Sequence, residues 1–293
     1  MATLKELKTR IASVKSTQKI TRAMKLVAAA KMKRATDAAL ASRAYSDEVT
    51  TVLSSLMARV DASDHPLLTA HDEVKKVAVI VVTADRGLCG GFNNNLMRRV
   101  ENWVWEQSQT IEAFKDVELQ SFGKKAQGYF SSRDFRFGRS VTDLKPDQFD
   151  LEVAKLVADV TSRYEAGDLD EVYLAFNRYV NTLVQTPTIE KLFPLSHLAE
   201  ESGEAEDELV DFVYEPNQKA ILGAVLPLFL RTRLTQVFLE SEAGEHAARM
   251  TAMDNATRNA KDVIERLSLE YNRARQAAIT TELVEIVAGA EAL

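Results

Sequence analysis

Cysteine is nearly absent. Cys89 stands alone among 293 residues, so no disulfide closes within the chain and no two-thiol redox switch can be built from it. Glycine and proline are missing altogether from residues 1 to 60, which removes the two residues that most often interrupt a helix. No apolar run approaches the ~20 uncharged residues of a bilayer-spanning helix. The opening MATLKELKTRIASVK lacks the apolar core of a secretory signal. It is basic and amphipathic like a transit peptide, yet its pattern continues into a long helix instead of stopping at a cleavage site. The expectation is a mature N-terminus on an intracellular protein.

The residues of catalysis are missing too. His65, His71, His197 and His246 are scattered, with no i, i+4 pair and no Cys neighbour, which argues against a metal site. No Ser, His and Asp arrangement carries a nucleophile elbow. Gly87, Gly90 and Gly91 follow a strand-like run and precede a helical one, the setting of a phosphate cradle. They spell neither G-x-G-x-x-G nor a P-loop, and no acidic residue ends the next strand to hold a ribose. A tight turn with positive φ angles is expected there, with no cofactor.

What is present begins with a charge asymmetry. Residues 1–60 hold twelve Lys and Arg against four Asp and Glu, a net +8 in a chain whose total is −6. A basic helix of this kind suits nucleic acid, an anionic membrane, an acidic protein surface or plain solvent. Leu4, Leu7, Ile11 and Val14 are spaced three, four and three, the seam of a coiled coil. Continuing that register reaches Gln18, Thr21 and Lys25, whereas apolar residues stand one position earlier at Ile20, Met24 and Val27. The seam is therefore expected to slip. Beyond it, small residues such as Ala28, Ala35 and Ala39 bury little area and predict a looser grip.

After a connection with acidic residues and His65-Pro66, Lys76–Thr83 is a β-branched run that reads as a buried parallel strand. Asn94–Gln107 reads as helix, Val117–Phe122 as strand, Lys124–Phe130 as a short helix and Phe149–Tyr164 as an amphipathic helix closed by Gly167. Val172–Phe176 and Thr186–Phe193 read as further strands, so the middle is a mainly parallel sheet flanked by helices. Ala199–Glu208 (AEESGEAEDE) reads as an acidic surface loop. Helix returns after Glu215-Pro216, with Pro227 in an early turn or at a kink. A second seam follows at Ala260, Ile264, Leu267, Tyr271, Ala274 and Ala278. The fold class expected is α/β: a long antiparallel coiled coil of the N- and C-terminal helices with an inserted Rossmann-like α/β domain. Its divisions are 1–60, 74–198, the loop 199–208, and 209–293.

The end of the chain, AAITTELVEIVAGAEAL, carries Ile279, Leu283, Val284, Ile286 and Val287 with few charges. At ~1.5 Å per residue the two end helices measure roughly 80 and 120 Å. Aligned where they leave the insert, they place Leu4 near Leu267 and leave about twenty apolar-rich residues with no partner in the same chain. A bare tip of that kind calls for an enclosing partner.

Three separated passages carry a family resemblance: Arg10–Lys15 through Lys19–Ala28, Asp85–Asn93 (DRGLCGGFN), and Ile279–Glu282 with Glu285, Gly289 and Ala290. The chain resembles the gamma subunit of the F-type ATP synthase. That resemblance implies a non-catalytic rotor shaft standing in a ring of alpha and beta subunits, with epsilon and the membrane c-ring at its foot and neither nucleic acid nor direct membrane insertion. It implies beta-subunit contacts at Met24, Arg249, Arg275, Gln276, Thr280 and Glu282, and foot contacts at Tyr214 and Glu215. Without a transit peptide or a cysteine-bearing insert, a bacterial enzyme on the cytoplasmic face of the inner membrane is expected, free of thiol regulation. The rivals are a coiled-coil adaptor, which predicts a polar tip, and a nucleotide-dependent enzyme, which predicts a phosphate motif.

Overall fold

The computed structural model describes residues 3–57, 65–133, 135–196 and 218–291. The loop 199–208 and the start of the last helix at Leu209 lie outside the described residues. Two compact units emerge, one of residues 30–248 and one of residues 1–29 with 249–293.

In the first unit the β-branched run becomes β1 (Val77–Val82), buried at every position. It is central because its side chains are apolar on both faces and each face has a layer to cover it. Beside it stands β2 (Glu118–Phe122), then β3 (Arg136–Val141); on its other side stands β4 (Glu171–Tyr179), then β5 (Gln185–Phe193). The order β3-β2-β1-β4-β5 is parallel except for β5, which runs antiparallel to β4. Between the strands run α2 (Phe92–Ser108), α3 (Lys124–Phe130) and α4 (Phe149–Glu165). Sequence reading missed β3, whose positions alternate exposed and half-buried but which carries an arginine on each face (Arg136 and Arg139) with Gly138 and Ser140 among them, as suits an edge strand.

Each sheet face has its own core. Val77, Val79 and Val81 pack with Leu96, Met97 and Val100 of α2 and with Ala126 and Phe130 of α3. Ala78, Ile80 and Val82 pack with Val153, Leu156 and Val160 of α4. The second cluster also takes Leu53 and Leu56 from α1 (Leu4–Met57), and Leu226, Leu230 and Leu234 from α5 (Gln218–Glu291). Each fully buried aliphatic side chain contributes about 1.5–3 kcal/mol, so these helix segments are integral to the domain. Pro227 lies inside α5, where its missing N–H leaves the Gly223 carbonyl without that bond.

Up to Ala39, α1 turns inward a seam at 4, 7, 11, 14, 18, 21, 25, 28, 32, 35 and 39, an alternation of three and four, with Met24, Ala29 and Thr36 half-buried at its flanks. The expected slip does not occur. Gln18, Thr21 and Lys25 stay in the seam, and Ile20, Leu26 and Val27 are 57%, 65% and 58% exposed. The second seam is in place: Ala260 and Leu267 are buried, and Ile264, Tyr271, Ala274 and Ala278 are half-buried.

Within this second unit, Thr21 meets Thr257 and Lys25 meets Asp254. One number rises as the other falls, so the helices are antiparallel. Seventeen residues from Thr21 back to Leu4 correspond to seventeen from Thr257 on to Ala274. The overhang therefore starts about two turns later than the length comparison placed it, because the alignment point at the base had been assumed.

Candidate partner-binding surface

Past Ala278 the last helix has nothing against it among the described residues. Ile279, Leu283, Val284, Ile286 and Val287 are between 48% and 68% exposed. Their successive spacings of four, one, two and one set them on one broad face of the helix, about 160° wide, wider than the narrow seam of a two-helix coiled coil. An exposed apolar face of that width marks a surface that a partner covers.

Arg275, Gln276, Thr280 and Glu282 stand exposed at the base of that overhang. The Thr280 hydroxyl donates to the Gln276 carbonyl at 2.9 Å and that of Thr281 to Ala277 at 3.0 Å, so both hydroxyls are folded back on the helix. The Arg275 and Gln276 side chains and the Glu282 carboxylate are left as the outward polar groups beside the apolar tip. Met24 and Arg249 are both half-buried. Tyr214 and Glu215 lie outside the described residues.

The outward faces of Ile20, Leu26 and Val27 are exposed apolar surface too, and sequence reading assigned Ile20 and Val27 to the seam. The signal was present: apolar side chains one place out of a heptad whose own positions were polar. Across the seam, the Asp254 carboxyl is held below its ordinary range, first by the hydrogen bond from Lys25, which outweighs the opposing effect of desolvation, and then by the charges of Lys25 and Arg258. Lys25 donates to Asp254 at 2.6 Å and Arg258 approaches it at 3.3 Å.

The glycine loop is fastened by its own side chains. Asn93 Oδ1 accepts from the Ala84 N–H at 2.9 Å, and its Nδ2 donates to Cys89 Sγ at 3.2 Å. Cys89 is buried. Positive φ falls on Gly90 (59°) and, against expectation, on Leu88 (63°), not on Gly87 or Gly91. Leu88 is thereby turned outward. Asp85 Oδ1 accepts from the Lys124 N–H at 2.9 Å, and Thr83 Oγ1 from the Ala126 N–H at 3.0 Å, so the strand-end side chains serve the start of α3.

Only α5, among the described residues, is long and apolar enough to cross a bilayer by length and composition. Half of its most apolar stretch is buried in the protein, and Leu222, Leu226, Phe229 and Leu230 lie in the sheet core. Core packing accounts for that hydropathy.

Two long antiparallel helices, one ending in a bare apolar tip, with a doubly wound α/β domain between them in the chain, define a coiled-coil subunit made for an assembly. The family model described as ATP synthase matches residues 3–293. An ATP synthase gamma chain of Pelotomaculum thermopropionicum is 46% identical over 294 residues, covering 100% of each chain. That of Chlorobium phaeobacteroides is 44% identical over 100% of this chain and 99% of its own length. Among solved structures, a chain of the Euglena gracilis mitochondrial ATP synthase (OSCP/F1/c-ring, rotational state 3) has a TM-score of 0.65 at 18% identity, covering 99% of this chain and 94% of its own. One from the Tetrahymena thermophila mitochondrial ATP synthase central stalk and c-ring has a TM-score of 0.59 at 24% identity, covering 81% and 99%. The chain belongs to the ATP synthase gamma chain family.

Proposed function

We propose that this chain is the rotor shaft of a bacterial F-type ATP synthase. Alpha and beta subunits surround the paired helices, and epsilon and the membrane c-ring sit at the foot. The chain itself catalyses nothing: turning an asymmetric shaft biases the beta active sites into different conformations, which couples ion flow to ATP formation. It is held at the cytoplasmic face of the inner membrane through its partners. The observation that carries this reading is the bare apolar end of α5 in a chain of this family. A coiled-coil adaptor would carry a polar end.

On the resemblance, Arg275 and Gln276 hydrogen-bond a loop of beta, with Thr280 and Glu282 linked to them. Met24 and Arg249 face the acidic lever of beta. The +8 segment favours that acidic collar, and Ile20, Leu26 and Val27 supply an apolar face beside it. Reconstitution tests the reading. Alpha and beta subunits with the membrane ring should make ATP from an ion gradient only when this chain is added, and the isolated chain should not bind nucleotide. Micromolar nucleotide binding by the isolated chain, or gradient-driven synthesis without it, contradicts the reading.

A further inference from the structure

Glu240 of α5 is 3% exposed and is held by donors from three elements. Arg43 of α1 donates through Nη2 to Oε1 at 2.8 Å, Gln236 of α5 through Nε2 to Oε1 at 3.0 Å, and the Tyr179 N–H at the end of β4 to Oε2 at 3.3 Å. On the same side of α5, Arg233 donates through Nε to Glu190 of β5 at 2.9 Å and lies over the Phe176 ring of β4. One turn past Glu240, Gly244 lets Phe92 close in: a Cβ there would stand 3.0 Å from the ring. This side of α5 thus rests on the β4 and β5 end of the sheet through directional contacts. Leu226, Leu230, Leu234 and Val237 pack into the apolar core, and apolar packing resists roll and slide weakly because it has no direction. A buried carboxylate with three donors has one favourable position, and displacing it strips those donors from a charge out of water.

We propose that Glu240 is a positioning residue for coupling. With Arg43 and the Tyr179 N–H it locks both α1 and α5 to the α/β domain, so that a turn of the domain reaches the two helices without play. This rests on the rotor reading above.

The test uses the complete complex, fixed through its ring, with a bead on the α/β domain, and reads the angular spread of the bead during catalytic pauses together with thermal melting of the free chain. Glu240→Ala should widen the angular variance about two-fold or more. Glu240→Gln, which keeps neutral hydrogen bonds, should restore part of it. Arg43→Met removes one donor from a side chain that is 40% exposed, so it folds even where Glu240→Ala does not, and it should widen the variance as well. Variants that melt earlier while the variance stays at the unvaried value overturn the proposal and leave Glu240 a stability residue only. A bead that fails to rotate on the unvaried chain overturns the rotor reading, and the positioning role with it.

Discussion

Lys25 and Asp254 face each other across the helix seam at 2.6 Å, one turn from the Thr21 and Thr257 hydroxyls at 2.8 Å. Polar side chains hold seam positions here while Ile20 and Val27 of the same helix face outward. Polar seam residues give up stability in return for a defined register. Each hydroxyl has one proton and a helix carbonyl within reach as an alternative acceptor, Gln18 for Thr21 and Met253 for Thr257, so the mutual bond is dispensable for satisfaction. Thr21→Val with Thr257→Val should leave the chain as stable or raise its stability by up to about 1 kcal/mol. Thermal melting of the free chain checks this, and a lower midpoint contradicts it.

Asp170 is nearly buried. His71 Nδ1 meets its Oδ1 at 2.7 Å, and the Lys75 and Lys76 N–H groups donate to Oδ2 at 2.8 Å each. Burial pushes its pKa up more strongly than any other single effect, yet His71 and the two backbone donors together outweigh it and hold the carboxyl below its ordinary range. With the folded pKa depressed, the stabilisation is complete above the unfolded value of about 3.9 and is lost as pH falls through the lower folded value. Asp170→Asn should cost about 1–3 kcal/mol at pH 7 and flatten the acid limb below pH ~4. Urea unfolding against pH measures both.

Gly123 closes β2 at φ 104°, and a Cβ there would lie 2.2 Å from the Thr83 carbonyl oxygen. Gly90 is also left-handed at φ 59°, but nothing stands within 4 Å of its missing Cβ. Gly123→Ala should therefore cost about 3 kcal/mol or more, from backbone conformation and collision together. Gly90→Ala should cost about 1 kcal/mol from conformation alone. Equal melting shifts for the two variants would contradict this assignment.

Leu283 and Ile286 are exposed in the free chain, so Leu283→Asp or Ile286→Asp should change its stability by no more than about 0.5 kcal/mol. In the assembled synthase the same changes place a charge in an apolar socket and should lower assembly or the number of ions pumped per ATP. Deleting Ile279 to Leu293 should do so more strongly. Pumping by reconstituted vesicles is the readout, and normal coupling by the truncated chain would refute the socket.

Most of the fold was legible because its signals are local. β1 is β-branched at every position but Ala78, and the gaps between helix and strand patterns fell where turns lie. β3 was invisible because an edge strand needs no apolar face of its own and borrows its order from β2. The seam misled for the opposite reason. Ile20, Met24 and Val27 look like core when only the chain's own burial is considered, but in the folded chain Ile20 and Val27 point away from it, and Thr21 and Lys25 find polar mates more than two hundred residues on in Thr257 and Asp254. The Glu240 cluster was equally hidden, since nothing in the spacing of Arg43, Tyr179 and Glu240 announces that they meet.

The most direct measurement is rotation itself: a bead fixed to the α/β domain of this chain, assembled with alpha and beta subunits on a surface, observed while ATP is hydrolysed. Unidirectional stepping that stalls when ATP is withdrawn is the result expected of a shaft. Hydrolysis that continues under a stationary bead, with the chain demonstrably bound, would contradict it.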